Sequence, residues 1–213
     1  MMSPQSLFSL IDFLGVAAAA IGGALEARKD KIHKYDFVGV VGLGLVSALG
    51  GGIVRDVLIA HGAPLALTDL RYLIVAFSGC FLGLLLGSRL HAPTQSLIIP
   101  IDAAALGLFA ISGATRAINT GLSYLPALLL GVVTSVGGGA LRDVLSGRTP
   151  KIFESGQLYA VVAFFAAVVF LGLEYAGVPS ITSTCIGVGA GSVLRLLSVR
   201  LGWKTPAVAS LQD

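Results

Sequence analysis

The stretch SALGGGIVRDVL (residues 47–58) breaks two rules of helix chemistry in twelve residues. Each glycine costs about 1 kcal/mol of helix propensity relative to alanine, so Gly50, Gly51 and Gly52 together invite a break or kink. Arg55 and Asp56 then follow directly in an apolar run. The same disruption recurs as TSVGGGALRDVL (134–145). From Gly44/Gly131 to Leu58/Leu145 nine of fifteen positions are identical, including Gly137, Gly138 and Gly139, Arg142 and Asp143.

The likeness spreads outward from this motif. IDFLGVAAAAIGGA (11–24) aligns with IDAAALGLFAISGA (101–114), keeping Ile-Asp, Ile21/Ile111 and Gly23/Gly113. RYLIVAFSG (71–79) pairs with LYAVVAFFA (158–166), keeping Tyr72/Tyr159 and Phe77/Phe164.

The setting is a chain of 213 residues that is 55% hydrophobic and only 12% charged, with a mean hydropathy of +0.91. Soluble domains carry about 25% charged residues, so lipid is the indicated solvent. The net charge of +3 is small and its basic residues sit between apolar runs. No basic stripe for nucleic acid is present. Seven segments reach spanning length, at roughly 7–26, 37–60, 71–89, 98–117, 122–145, 157–176 and 181–201. The first has no preceding Lys or Arg and contains Asp12, which marks a retained span rather than a signal peptide.

Lys and Arg set the orientation. Arg28, Lys29, Lys31, Lys34, Arg89, Arg148, Lys151, Arg200 and Lys204 fall on one side of such a seven-span chain, with Arg71 and Arg116 opposite. The N-terminus is therefore expected outside the cytoplasm and the C-terminus inside. The fold expected is an all-α integral membrane protein. Residues 1–95 form a first three-helix repeat, 96–178 a second, and 179–213 a seventh helix with a cytoplasmic tail. Three spans per unit is an odd number, so the second unit enters from the opposite side and the repeat is inverted, a plan with sites near the midplane.

Two readings of the glycines stay open. An unwound turn exposes backbone polar groups, which must then face protein or enclosed water. Alternatively the triplets are close-packing surfaces. Arg55 with Asp56 and Arg142 with Asp143 cost at least about 2.5–3.5 kcal/mol each if unpartnered in hydrocarbon. They are gate or pore charges, with the arginines assigned to the lumen, or snorkelling pairs at helix ends. Asp12 and Asp102 face a cavity or act as first-turn carboxylates at the interface. Ser47 and Thr134, one turn before the glycines, line a pore or bond back to a helix carbonyl. Arg195 is expected to snorkel to the cytoplasmic face, and Cys80 and Cys185 to be small buried hydrophobes. His33, His61 and His91 lack ligand spacing, so no metal or other cofactor is expected.

With seven spans, a three-plus-three repeat and glycine triplets in spans two and five, the chain resembles the trimeric intracellular cation (TRIC) channels. GGGIVRDVL and GGGALRDVL resemble their prokaryotic members in particular. The resemblance implies a homotrimer in membrane lipid, each protomer holding its own water-filled pore for potassium and sodium, with helices two and five kinked around the constriction at Gly50–Gly52 and Gly137–Gly139. Animal relatives carry Lys-Glu-Val after the second triplet. Arg142-Asp143-Val144 stands here instead, so phosphoinositide regulation does not transfer. Prokaryotic sequences of this type are also labelled glycine transporters, which keeps a secondary transporter of a small zwitterion as the alternative. No phosphate loop, nucleophile–base pair or ligand cluster points to an enzyme. A prokaryotic inner membrane is the expected location.

Overall fold

A computed structural model describes residues 4–30, 33–89, 94–154 and 158–204. Lys31 and His91 lie outside the described residues, as does the side chain of Arg89. Among those described, the chain forms eight helices: α1 (Pro4–Lys29), α2 (Phe37–Ile59), α3 (Leu65–Thr68), α4 (Leu70–Arg89), α5 (Thr94–Asn119), α6 (Tyr124–Leu145), α7 (Tyr159–Tyr175) and α8 (Ser180–Arg200). Six are long and apolar enough to cross a membrane. The expected sixth span is α7, which is apolar but has only 17 residues. At 1.5 Å per residue it covers about 26 Å, slightly less than a typical hydrocarbon core.

Local chemistry sets the helix ends. Asp36 caps α2 by accepting the Gly39 amide at 2.8 Å, and α2 stops at Ala60, whose φ of 55° is left-handed. Gly121 and Gly177, both at positive φ, turn the chain from α5 into α6 and from α7 into α8. At the start of α4 the Arg71 side chain donates to Asp69, just outside the helix, and holds that carboxyl below its usual range.

α1 packs against α2, α4 and α5. It runs parallel to α4, with Gly79 against Ala17 and Ala20, and Gly83 against Ile21 and Ala24. It runs antiparallel to α5, with Gly15 against Phe109 and Gly22 against Ile101. α8 lies on α5 and α7 through Gly187 and Gly191. These contacts are made by small residues, which let backbones approach closely where lipid offers no hydrophobic drive between helices. The bundle thus has a near end, where α1 begins and α5 ends, and a far end, where α1 ends and α5 begins.

Neither glycine triplet breaks its helix. α2 and α6 continue as α-helix through Gly50–Gly52 and Gly137–Gly139, so of the two readings the close-packing surface holds and the unwound turn does not. The reason is the antiparallel crossing of α2 over α6. A Cβ on Gly51 would overlap the Thr134 carbonyl oxygen, and one on Gly138 would overlap that of Ser47. Glycine is required there by close approach, not by an unusual backbone.

Candidate functional site

Two ionic clusters flank this crossing, one toward each end of the bundle. At the near end Arg55 is 1% exposed. Its Nη1 donates to Asp12 Oδ1 at 3.1 Å and its Nη2 to Asp12 Oδ2 at 3.3 Å, a two-pronged pairing that suits a guanidinium on a carboxylate. Arg55 also donates to Asp56 at 2.9 Å and to the Ser112 hydroxyl at 2.9 Å. Asp12 accepts from Tyr72 Oη at 2.7 Å and from Ser112. Asp56 accepts the Leu65 amide at 2.9 Å, which seats α3. Phe8 covers the Arg55 guanidinium 5.5 Å from its ring centre, and Arg116 approaches Asp56 at 3.7 Å. The space that remains is about 10 Å³, close to what one water needs. This end is tightly filled.

At the far end the equivalent groups are arranged more loosely. Arg142 donates to Asp143 at 2.7 Å and lies 3.5 Å from Glu26. Lys151 also pairs with Glu26, and its amide donates to Asp143 at 3.3 Å. Asp102 accepts from Tyr159 Oη, as Asp12 does from Tyr72. Arg195 lies over the Tyr159 ring, 3.9 Å from its centre, and 3.9 Å from Asp102. No ion pair joins Arg142 to Asp102 among the described residues, so the counterpart of the Arg55–Asp12 bond is not made.

A cavity opens among these groups. It has a volume of about 50 Å³ and is walled by Glu26, Asp102, Gly139, Arg142, Asp143 and Tyr159. That is room for several waters. Glu26, Asp102, Lys151 and Tyr159 also line a wider cavity of about 430 Å³ that reaches Trp203. The inner cavity runs up to Phe109, which lines the small near-end space as well. Phe109 is the one residue that lines both. Its repeat-equivalent is Ala19, on the wall of the far-end cavity.

Several expectations change in detail. Arg55 does not face an open lumen, because two carboxylates and a hydroxyl enclose it. Asp12 and Asp102 each lie more than two turns inside their helices, so neither is a first-turn interfacial carboxylate. Asp102 lines the far-end cavity; Asp12 is buried. Thr134 is fully buried and donates back to the Leu130 carbonyl at 2.6 Å; Ser47 lines the cavity. Arg195 is buried beside Tyr159 rather than snorkelling. Cys80 is buried but Cys185 is exposed. The third glycines, Gly52 and Gly139, face the two cavities, leaving space in front of the arginines.

Six participants were not singled out from the sequence: Glu26, Phe109, Ser112, Lys151 and the tyrosines Tyr72 and Tyr159. Tyr72 and Tyr159 did carry a signal, since they match across the repeat. Glu26 aligns with Arg116 when the 11–24/101–114 register is extended by two residues. The two ends thus carry opposite charge at one repeat position. Among the described residues no group of three His, Cys, Asp or Glu could hold a metal ion.

A family model described as Glycine transporter matches residues 9–88 and 99–175. The UPF0126 inner membrane protein YadS of Escherichia coli K12 is 32% identical over 200 residues, covering 93% of this chain and 95% of that one. A UPF0126 membrane protein of Deinococcus radiodurans is 40% identical over 154 residues, 72% of this chain and 70% of the relative. Among solved structures, the TRIC trimeric intracellular cation channel orthologue from Rhodobacter sphaeroides superposes with a TM-score of 0.83 at 28% identity, over 92% of this chain and 98% of that one. A second structure, described for conductance through TRIC cation channels, gives 0.81 at 30% identity, over 97% and 99%.

Proposed function

The chain belongs to the glycine-transporter family of multi-pass membrane proteins and is a prokaryotic relative of the TRIC channels; on that premise we propose that it is a channel for monovalent cations, potassium and also sodium. The pore runs inside the protomer, between α1, α2, α5 and α6. The observation that carries this reading is the cavity holding Glu26, Asp102 and Asp143, which penetrates from the far end to Phe109. Three carboxylates against Arg142 and Lys151 leave this cleft with an acidic excess that favours cations. Arg142, Lys151 and Arg195 offset their charge and keep the site from trapping an ion, since conduction needs binding weak enough to release.

The path is closed in this arrangement. Phe109 blocks its middle, and the Arg55–Asp12 pairing closes the near end. Opening requires that pairing to part and the ring to move. The two units form an inverted repeat: α2 and α6 cross antiparallel with reciprocal contacts, Ser47 to Gly138 and Thr134 to Gly51. The far end is cytoplasmic by its excess of Lys and Arg, the chain sits in the inner membrane, and three protomers assemble in it, each with its own pore.

A second reading is a transporter of a small zwitterion such as glycine. The mixed charges of the far-end cavity favour it: Arg142 and Lys151 would hold a carboxylate, and Asp102 an amine. Proteoliposomes separate the two. Potassium-loaded vesicles are expected to lose potassium down its gradient with the protein present, with no saturable glycine uptake. Saturable uptake without potassium flux would reverse the assignment.

A further inference from the structure

A fourth cavity lies at the near end, apart from the path described above. It occupies about 130 Å³ between the ends of α1, α5, α6, α7 and α8. Leu7, Ile11 and Phe170 form an apolar wall, with Tyr124 at one side and Thr115, Asn119, Glu174, Ser180 and Thr184 contributing polar groups. Glu174 Oε2 accepts from the Ser180 hydroxyl at 3.2 Å. Glu174 Oε1 and Thr115 Oγ1 are both buried without a hydrogen-bond partner. No Lys, Arg or His lines the cavity.

An unpartnered buried carboxylate oxygen is costly, and more so beside apolar walls. The Glu174 oxygen lacks a donor and the Thr115 hydroxyl on the same cavity can accept one, so together they suit a donor that carries positive charge. An ammonium supplies several N–H bonds at once, and an aromatic face such as Tyr124 adds attraction for a cation. The space exceeds a bare monovalent ion, and the apolar wall would leave half of such an ion unsolvated. We infer that this cavity is a binding site for a small primary alkylammonium, its head on Glu174 and Thr115 and its carbon chain against Ile11 and Phe170. The same head group arrives either on a free amine or on an amine-headed lipid. The inference is independent of the channel reading.

The test is thermal melting of purified full-length protein in detergent with n-butylammonium chloride, against potassium chloride at equal ionic strength. Butylammonium is expected to raise Tm by about 2–4 °C in a saturable way. Glu174→Gln is expected to abolish the shift, and Thr115→Val to weaken it by severalfold in midpoint concentration. Should Glu174→Gln fail to fold, Thr115→Val alone decides. A parallel arm adds phosphatidylethanolamine or phosphatidylglycerol; stabilisation by the first alone, lost in the same variants, assigns the site to the lipid head group. No saturable shift from either amine, or a shift that survives both substitutions, overturns the proposal.

Discussion

Gly51 and Gly138 meet where α2 crosses α6: a Cβ on Gly51 would stand 3.2 Å from the Gly138 amide nitrogen, and one on Gly138 would stand 3.4 Å from that of Gly51. The reciprocity follows from the repeat, in which the two glycines are equivalent. The crossing holds the two ionic clusters at fixed positions on either side of it. It also explains why a sequence so unfavourable for helix keeps its helix here.

Alanine at Gly51 or Gly138 is therefore expected to destabilise by about 1–3 kcal/mol, because a methyl must displace a backbone carbonyl. Gly52→Ala and Gly139→Ala meet only a flexible guanidinium nitrogen, at 3.6 and 3.9 Å. They should be neutral or slightly stabilising, since alanine favours helix. Thermal melts of the four variants in one detergent check the contrast.

Removing Arg55 leaves Asp12 buried without its cation. Arg55→Leu is expected to cost about 3–5 kcal/mol, and adding Asp12→Leu should recover part of that loss. A double-mutant cycle by chemical denaturation measures the coupling. An additive cycle would mean the pair contributes nothing.

Much of this was legible beforehand. Repeat matching placed Arg55, Asp56, Arg142, Asp143, Asp12 and Asp102 together as important, and hydropathy located the spans. What misled was propensity read alone: three glycines indicate a break only if nothing packs on them, and the packing partner is a second triplet 87 positions away. Periodicity cannot reveal that. Similarly, Arg195 looked like a snorkelling residue because Asp102 and Tyr159, its neighbours, lie on other helices.

Phe109 lines both the near-end and the far-end cavity, and Ala19 is its repeat counterpart. Phe109→Ala is expected to raise cation flux severalfold, and Ala19→Phe to lower it. Potassium efflux from proteoliposomes, corrected for protein content, reads both. Equal flux in both variants would take Phe109 out of the path.

Neutralising Arg142 leaves Glu26, Asp102 and Asp143 in excess within the far-end cavity. Arg142→Gln should raise potassium conductance at low salt, with the difference shrinking near 1 M, where screening acts within about 3 Å. Conductance against salt concentration, for wild type and variant, tests the sign.

The most direct measurement is single-channel recording of the purified protein in planar bilayers under a potassium gradient. Discrete unitary currents reversing near the potassium equilibrium potential, and enlarged or more frequent in Phe109→Ala, are the predicted result. Silent bilayers from protein that takes up glycine saturably in vesicles would contradict it.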